Sequence, residues 1–90
     1  MLSIIIVNYK SSGDITDCLE SIIRFEKKYK DYEIIIVDNN SGDPGLDILK
    51  SGFPFIRIIN AEKNGGFAYG NNIGIKNASG DFILLLNPDT

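Results

Sequence analysis

Short apolar runs alternate with longer amphipathic segments along the whole chain. Four runs are rich in isoleucine, leucine or valine and are too short for helices: residues 3–7, 32–37, 55–59 and 82–86. Such runs are typical of strands buried on both faces, as in a parallel sheet that helices cover. In the third run Arg57 interrupts the apolar residues, which favours a position nearer the edge of the sheet.

The segments between these runs carry helix signals. In the first, Ser12 or Asp14 can cap a helix whose apolar residues recur at helical spacing: Ile15, Leu19, Ile22 and Ile23. In the second, Asp43 and Pro44 fit an N-cap and the first helical position, and Gly52 fits a C-terminal stop. The pattern predicts one helix in each segment.

The third segment is distinguished by three glycines. Gly66, Gly70 and Gly74 are four residues apart, so on a helix they form a bare stripe along one face. Each glycine costs ~1 kcal/mol relative to alanine in a helix interior, so this helix must gain something from close approach to its neighbours.

The resulting order, β-α-β-α-β-α-β with short loops, implies parallel strands joined by right-handed crossovers. The predicted fold is therefore α/β and Rossmann-like, with about four parallel strands and helices on both faces. The carboxyl ends of parallel strands meet at one edge of the sheet, where ligands bind in open α/β folds. Three polar loops would cluster there: residues 8–10, 38–40 and 87–89.

Composition narrows the classes of function. Ninety residues correspond to one small domain or part of a larger one, and the net charge of −3 argues against nucleic acid as a partner. The single cysteine, Cys18, is interpreted as a small core residue and is compatible with a reducing cytoplasm. The lack of histidine excludes histidine-based triads and histidine metal sites within these residues. No apolar run approaches the ~20 residues of a transmembrane helix.

Oxygen-bearing side chains at the predicted edge suggest the chemistry. Asp89 with Asn87 would suit Mg²⁺ or Mn²⁺, which bind one or two protein oxygens together with substrate phosphates. Asp38 could accept hydrogen bonds from a base or a ribose. Other motifs are missing, because the sequence has no P-loop and no Gly-x-Gly-x-x-Gly after the first run. As a calcium loop, residues 38–49 would have Asp43 at the sixth position and Leu49 at the twelfth, where glycine and glutamate are required.

Four stretches resemble the beginning of a family 2 glycosyltransferase of the GT-A fold: residues 3–9, 36–43, 64–74 and 84–90. The resemblance covers essentially the whole chain, with the motifs in the family's order. The asparagine-rich third stretch and the Asn-Pro-Asp of the fourth are most similar to the rhamnosyltransferase and galactofuranosyltransferase branch.

The resemblance implies an inverting transfer of a sugar from a UDP- or dTDP-linked donor, with rhamnose as the suggested sugar, to a glycan or lipid-linked acceptor. It places the first strand beside the fourth. It assigns these residues to the donor nucleotide: Val7, Tyr9, Asp38, Asn40, Lys63 and Asn64. Asn87 and Asp89 occupy the family's Asp-x-Asp metal position. Because the neutral Asn87 is a weaker ligand than aspartate, Asp89 must contribute more of the binding energy for the divalent metal.

The resemblance also implies what residues 1–90 lack. We expect them to be the nucleotide-sugar-binding part of a longer cytoplasmic or membrane-associated enzyme, whose catalytic base and acceptor half lie downstream. Alone, they should bind donor weakly and transfer no sugar. The last strand would then be an open apolar edge, which predicts self-association as a homodimer through that strand.

Two alternatives belong to other functional classes. A nucleotidyltransferase-like enzyme would need a glycine-rich basic loop after the first strand. A non-enzymatic flavodoxin-like interaction domain would need an acidic pair there. Asn8 and Tyr9 stand at that position, which favours the glycosyltransferase interpretation.

Overall fold

The four predicted strands form one parallel sheet in the computed structural model, which describes residues 1–25 and 31–87. The strands are β1 (Leu2–Asn8), β2 (Tyr32–Asp38), β3 (Arg57–Asn60) and β4 (Phe82–Leu86). The helices are α1 (Ser12–Phe25), α2 (Gly45–Gly52) and α3 (Phe67–Asn77). The strand order is β3-β2-β1-β4, with β1 beside β4. This confirms the α/β fold and the neighbours expected for the first strand.

β3 is shorter than its apolar run predicts. The run was expected to pair from residue 55, but Pro54 and Phe55 form a turn in which the Ile56 N–H donates to the Phe53 carbonyl at 3.2 Å. Because Phe55 lies in this turn and the Ile56 N–H is used by it, pairing with β2 starts only at Arg57. The predicted edge position of this strand is confirmed.

Helices cover the two faces of the sheet. Successive side chains of β1 and β2 point to opposite faces, so each face has apolar residues to bury. On one face Ile4, Ile6, Ile34 and Ile36 pack with Ile15 and Leu19 of α1 and with Leu46 and Leu49 of α2. Cys18 is partly buried against this cluster, and its burial raises the pKa of its thiol. On the other face Ile5, Ile35 and Val37 pack against α3 and Ala61.

The glycine stripe lies where α3 meets the sheet. A Cβ on Gly74 would lie 2.4 Å from Cγ2 of Ile5, and a Cβ on Gly70 would lie 2.7 Å from Cγ1 of Val7. Two of the three glycines therefore permit the close approach that their spacing predicts. The third, Gly66, is the N-cap of α3, with φ 92° and open space where a Cβ would be.

β4 is an edge strand with an uncovered outer side. Phe82 is 72% exposed, and the three residues after it are between 42% and 45% exposed. The prediction that this run is buried on both faces is therefore wrong for the described residues. The expectation of an open apolar edge at this position is met. No helix in the described part of the chain is long and apolar enough to cross a membrane.

A polar cluster holds the amino edge of the sheet. Glu33 Oε2 accepts hydrogen bonds from Ser3 Oγ and from the Ser79 N–H, both at 2.6 Å, and Arg57 lies 3.4 Å from Oε1. The Gly80 N–H donates to Ser3 Oγ at 2.8 Å. The cluster anchors the connection between α3 and β4. These bonds, with that of Ser3 foremost, outweigh partial burial and hold the pKa of Glu33 below its ordinary value of 4.5.

Candidate functional site

The carboxyl edge of the sheet is built around a pair of buried polar side chains. Asn8 ends β1 and Asp38 ends β2, and the two are register partners. Asn8 is fully buried and Asp38 is 3% exposed. Asn8 Nδ2 donates to Asp38 Oδ1 at 2.8 Å, which gives both buried groups the partner that burial demands. The first two predicted polar loops therefore meet at this edge.

The Asp38 carboxylate is held by the turn that follows it. Ser41 Oγ donates to Oδ1 at 2.6 Å, and the Ser41 N–H donates to Oδ2 at 3.2 Å. A carboxylate has about four acceptor positions, so one further donor can be accommodated, most readily at Oδ2. Recognition of a nucleotide base by Asp38 stays a prediction, and the contact would be made by an oriented, almost fully buried acceptor.

Asp43 links the two helices on one side of this edge. Its carboxylate accepts hydrogen bonds from the N–H and Oγ of Ser12, at 3.2 and 3.1 Å, and from the N–H of Gly45 at 2.9 Å. These are first-turn donors of α1 and α2, which need an acceptor. Burial acts to raise the pKa of Asp43, but the bonds from Gly45, Ser12 and Asn8 outweigh it and lower the pKa. The sequence predicted Asp43 as the N-cap of α2, whereas the structure places the N-cap one residue later, at Pro44, and Asp43 accepts from the Gly45 N–H that follows. The bond to α1 was not predicted.

A cleft of about 260 Å³ opens at the point where the sheet order reverses, between the ends of β1 and β4. It is lined by Val7, Tyr9, Ser11, Asn39, Asn64, Gly66, Phe67 and Asn87. Four of these belong to the predicted site: Val7, Tyr9, Asn64 and Asn87. The structure thus brings the loops after β1 and β4 together with the turn before α3.

The other predicted residues lie outside this lining. Asp38 borders a second cleft of about 610 Å³, alongside α2 and β3. Asn40 lies two residues after Asp38 on the turn and is exposed, with φ 56°. Lys63 is exposed, with Nζ 5.5 Å from the centre of the Tyr69 ring. Asp89 lies outside the described residues.

Four lining residues were not named as site residues from the sequence: Ser11, Asn39, Gly66 and Phe67. Of these, Asn39 lay within the polar loop 38–40 that was expected at this edge. Ser11 and Phe67 are ordinary loop and helix-start residues in the sequence. Asn39 stands between two candidate residues and is 2% exposed, a property that composition does not show. The signal for Phe67 was its place in the glycine-rich stretch, directly after Gly66.

Positive charge and an aromatic surface lie at the cleft. Tyr9 is 44% exposed, and Nζ of Lys10 is 5.4 Å from the centre of its ring. Gly66, which lines the cleft, is the N-cap of α3 and makes no side-chain cap hydrogen bond. The first N–H groups of an α-helix have no acceptor within the helix. An exposed ring, a lysine and a helix amino terminus suit a flat base and an anionic group.

The donor set for a metal is partial within the described ranges. Asn87 lines the cleft and offers a neutral amide oxygen of the hard type that Mg²⁺ and Mn²⁺ accept. Residues 1–25 and 31–87 contain no group of three or more histidine, cysteine, aspartate or glutamate side chains placed to hold a metal. The residues fit a site in which one protein carboxylate and substrate phosphates complete the shell, and Asp89 is the carboxylate predicted for it.

Comparison with known proteins gives one family. The model of "Glycosyl transferase family 2" matches residues 3–90. The poly(ribitol-phosphate) beta-glucosyltransferase of Bacillus spizizenii is 38% identical over 92 residues, which cover 98% of this chain and 14% of that protein. The uncharacterized glycosyltransferase YwdF of Bacillus subtilis is 41% identical over 90 residues, with 98% and 32% covered. The chain thus spans about a third or less of these relatives.

Solved structures give the same fold. TarS 1–349 of S. aureus in complex with UDP-GlcNAc superposes with a TM-score of 0.84 and 28% identity, covering 98% of this chain and 26% of that one. The mannosyltransferase PcManGT from Pyrobaculum calidifontis, in complex with GDP-Man and Mn²⁺, gives a TM-score of 0.81 at 20% identity, covering 98% and 27%.

Proposed function

Because the chain belongs to glycosyl transferase family 2, we propose that it forms the donor-binding half of an inverting glycosyltransferase. The reaction moves a sugar from a nucleoside diphosphate to an acceptor hydroxyl of a glycan or lipid-linked glycan. One observation carries the proposal: a cleft at the β1/β4 switch point is lined by the family-like motifs that follow both strands. Ligands of open α/β sheets bind at such a point.

The lining suggests how the nucleotide would lie. The ring of Tyr9 and the side chain of Val7 offer a flat apolar surface for the base. Asp38, which borders the neighbouring cleft beside α2 and β3, would accept a hydrogen bond from a base N–H. The amino end of α3, with Lys63 and Asn64 just before it, supplies positive potential and donors for the diphosphate and ribose.

The chemistry places negative charge on the leaving nucleoside diphosphate. A divalent ion, when bound, would act as a Lewis acid that neutralises this charge. Asp89 would hold it with a charged oxygen and Asn87 with a neutral one. The acceptor hydroxyl needs a carboxylate base within hydrogen-bond reach, which we place in another part of the enzyme.

For the donor we propose a pyrimidine nucleotide, UDP or dTDP. The structure of TarS with UDP-GlcNAc supports a uridine donor by similarity. A rhamnosyl donor rests on the asparagine-rich third stretch and the Asn-Pro-Asp of residues 87–89. The curated relatives carry names that refer to different sugars, so the family match leaves the sugar open.

We propose that the chain alone self-associates, with a second copy of itself paired through β4. Antiparallel pairing of two β4 strands about Leu84 would set Phe82 against Leu86 and Ile83 against Leu85. Every described residue of the strand is apolar, so no like charges would meet, and two four-stranded sheets would join into one. Open apolar edges of this kind pair with other chains.

Thermal unfolding of the chain with UDP, dTDP and GDP, with and without Mn²⁺, tests the donor proposal. We expect a nucleotide to raise Tm by several degrees at about 100 times its Kd, because only the folded chain has the cleft. The rise should be larger with Mn²⁺. Uridine, which has the base and ribose of UDP but no diphosphate, is the matched control. An equal Tm under all conditions would refute donor binding by this chain.

A further inference from the structure

The buried amide of Asn39 connects the end of β2 to the amino end of α3. Its Nδ2 donates to the Gly66 carbonyl at 2.9 Å, while its main-chain N–H donates to the Asn8 carbonyl, also at 2.9 Å. The side chain takes no part in the cluster formed by Asp38 and Asp43. Asn39 therefore contacts one partner beyond its own edge of the sheet, and that partner is the first residue of the α3 turn.

Gly66 is a point where the chain needs such a hold. Its φ of 92° lies in the left-handed region, and no side chain caps the helix there. Its carbonyl also accepts the first helical bond, from the Gly70 N–H at 3.1 Å. A helix end without a cap frays readily. The amide of Asn39 thus fixes the carbonyl that starts α3.

The other end of the amide shows that the arrangement has a cost. Asn39 Oδ1 is buried and has no hydrogen-bond partner, and a Cβ on Gly70 would lie only 3.2 Å from it. An unpaired buried amide oxygen is unfavourable. The amide cannot gain by reversal, since Oδ1 would then face the Gly66 carbonyl oxygen. An apolar residue of similar size would avoid this cost, so packing alone does not account for an asparagine here.

The position of this contact is in the cleft itself. Asn64, Gly66 and Phe67 form the cleft wall on the α3 side, and Val7 and Tyr9 form the wall on the β1 side. Asn39 is also part of the lining. Any rotation or fraying of the first turn of α3 would change the distance between the two walls.

Given the donor cleft of the proposed function, we propose that Asn39 is a positioning residue for nucleotide binding. Its Nδ2–Gly66 hydrogen bond holds the α3 wall at the separation from β1 that a nucleoside diphosphate requires. This inference rests on the proposed function. It adds a residue that aids nucleotide binding by holding the Gly66 turn in place.

The test compares Asn39→Asp with the wild-type chain and with Ser3→Ala. Aspartate keeps the shape of asparagine but cannot donate to the Gly66 carbonyl. Ser3→Ala removes hydrogen bonds at the opposite edge of the sheet, so it lowers stability without touching the cleft. Binding of UDP, GDP and dTDP with Mn²⁺ is measured by calorimetry, at a temperature where circular dichroism shows all variants folded. Amide exchange is followed in the first turn of α3.

For the nucleotide that the wild type binds best, we expect Kd to rise about tenfold in Asn39→Asp, because the hydrogen bond to the Gly66 carbonyl is lost and a carboxylate oxygen faces that carbonyl instead. Exchange of the Gly70 amide, which donates to the Gly66 carbonyl, should quicken in that variant alone. If Asn39→Asp does not fold, Asn39→Ala replaces it, with an expected rise of about threefold.

An unchanged Kd in a folded Asn39 variant, with only Tm lowered as in Ser3→Ala, would refute the positioning role and leave the proposed function standing. A wild-type chain that binds none of the three nucleotides would refute the proposed function, and this inference with it.

Discussion

Replacing Gly74 by alanine sets two known effects against each other. Alanine is favoured over glycine by ~1 kcal/mol in a helix interior, so propensity alone predicts a more stable protein. The new Cβ, however, would lie 2.4 Å from Cγ2 of Ile5 and 3.2 Å from its Cδ1. Ile5 is fully buried in the central strand, and Cγ2 is attached to its stiff, β-branched carbon.

The overlap cannot be relieved by a side-chain rotation, so α3 or β1 must shift. Overpacking of a closed core costs about 1–3 kcal/mol. Against the gain in propensity of ~1 kcal/mol, we expect a net loss of up to about 2 kcal/mol in the free energy of unfolding. The assay is urea unfolding followed by far-UV circular dichroism, with m-values compared to detect any change in the unfolded state.

Gly13→Ala is the matched control. Gly13 lies in α1 with no atom within 4 Å of the position a Cβ would take, so alanine there should leave stability unchanged or raise it by up to ~1 kcal/mol. If Gly74→Ala were as stable as Gly13→Ala, close packing of α3 on β1 would not be the reason for the glycine stripe.

Three further predictions concern other parts of the molecule. The folded pKa of Glu33 is lowered, so its contribution to stability is present above about pH 4.5 and is lost as the pH falls through the folded pKa. Glu33→Gln should therefore cost about 1 kcal/mol in urea unfolding at neutral pH and less at acid pH; an equal cost at both would contradict the reasoning. Leu84→Lys should convert a self-associating chain into a monomer in sedimentation equilibrium, since two lysines would meet at the centre of the strand pair. Ile48→Lys, on an exposed residue of α2, should leave association unchanged, and a wild-type chain that is monomeric at high concentration would rule the pairing out. Asn87→Asp should strengthen Mn²⁺-dependent nucleotide binding about tenfold, because a carboxylate is the better ligand; equal affinity in calorimetry would place the metal elsewhere.

The sheet could be predicted because the residues of its central strands indicate by themselves that these strands are buried on both faces. β1 and β2 are apolar on both faces, and only a doubly covered parallel sheet accommodates that. The role of the glycines of α3 could be predicted for a similar reason. Their spacing places them on one face of the helix, whatever element packs against that face. Composition could not show that β4 is exposed. An edge strand has the same residues as a buried one, and only the neighbours decide its burial.

The site was predictable to the extent that topology determines it. Parallel strands bring Val7, Tyr9 and Asn87 to one cleft, and their place followed from strand order. What each turn residue does depends on local geometry. Asp38 is turned inward onto Asn8, whereas Asn40, two residues later, is exposed with a positive φ. The sequence alone does not show which polar residue of a turn faces inward and which is exposed.

Nucleotide titration followed by amide chemical shifts tests the central claim most directly. The chain, labelled with nitrogen-15, is titrated with UDP, dTDP and GDP in the presence of Mg²⁺, which leaves the signals sharp. The donor-cleft account predicts saturable shifts at Val7, Tyr9, Asn64 and Phe67, with little change along β3. Shifts confined to the larger cleft beside α2 and β3, or no shifts with any of the three nucleotides, would contradict it.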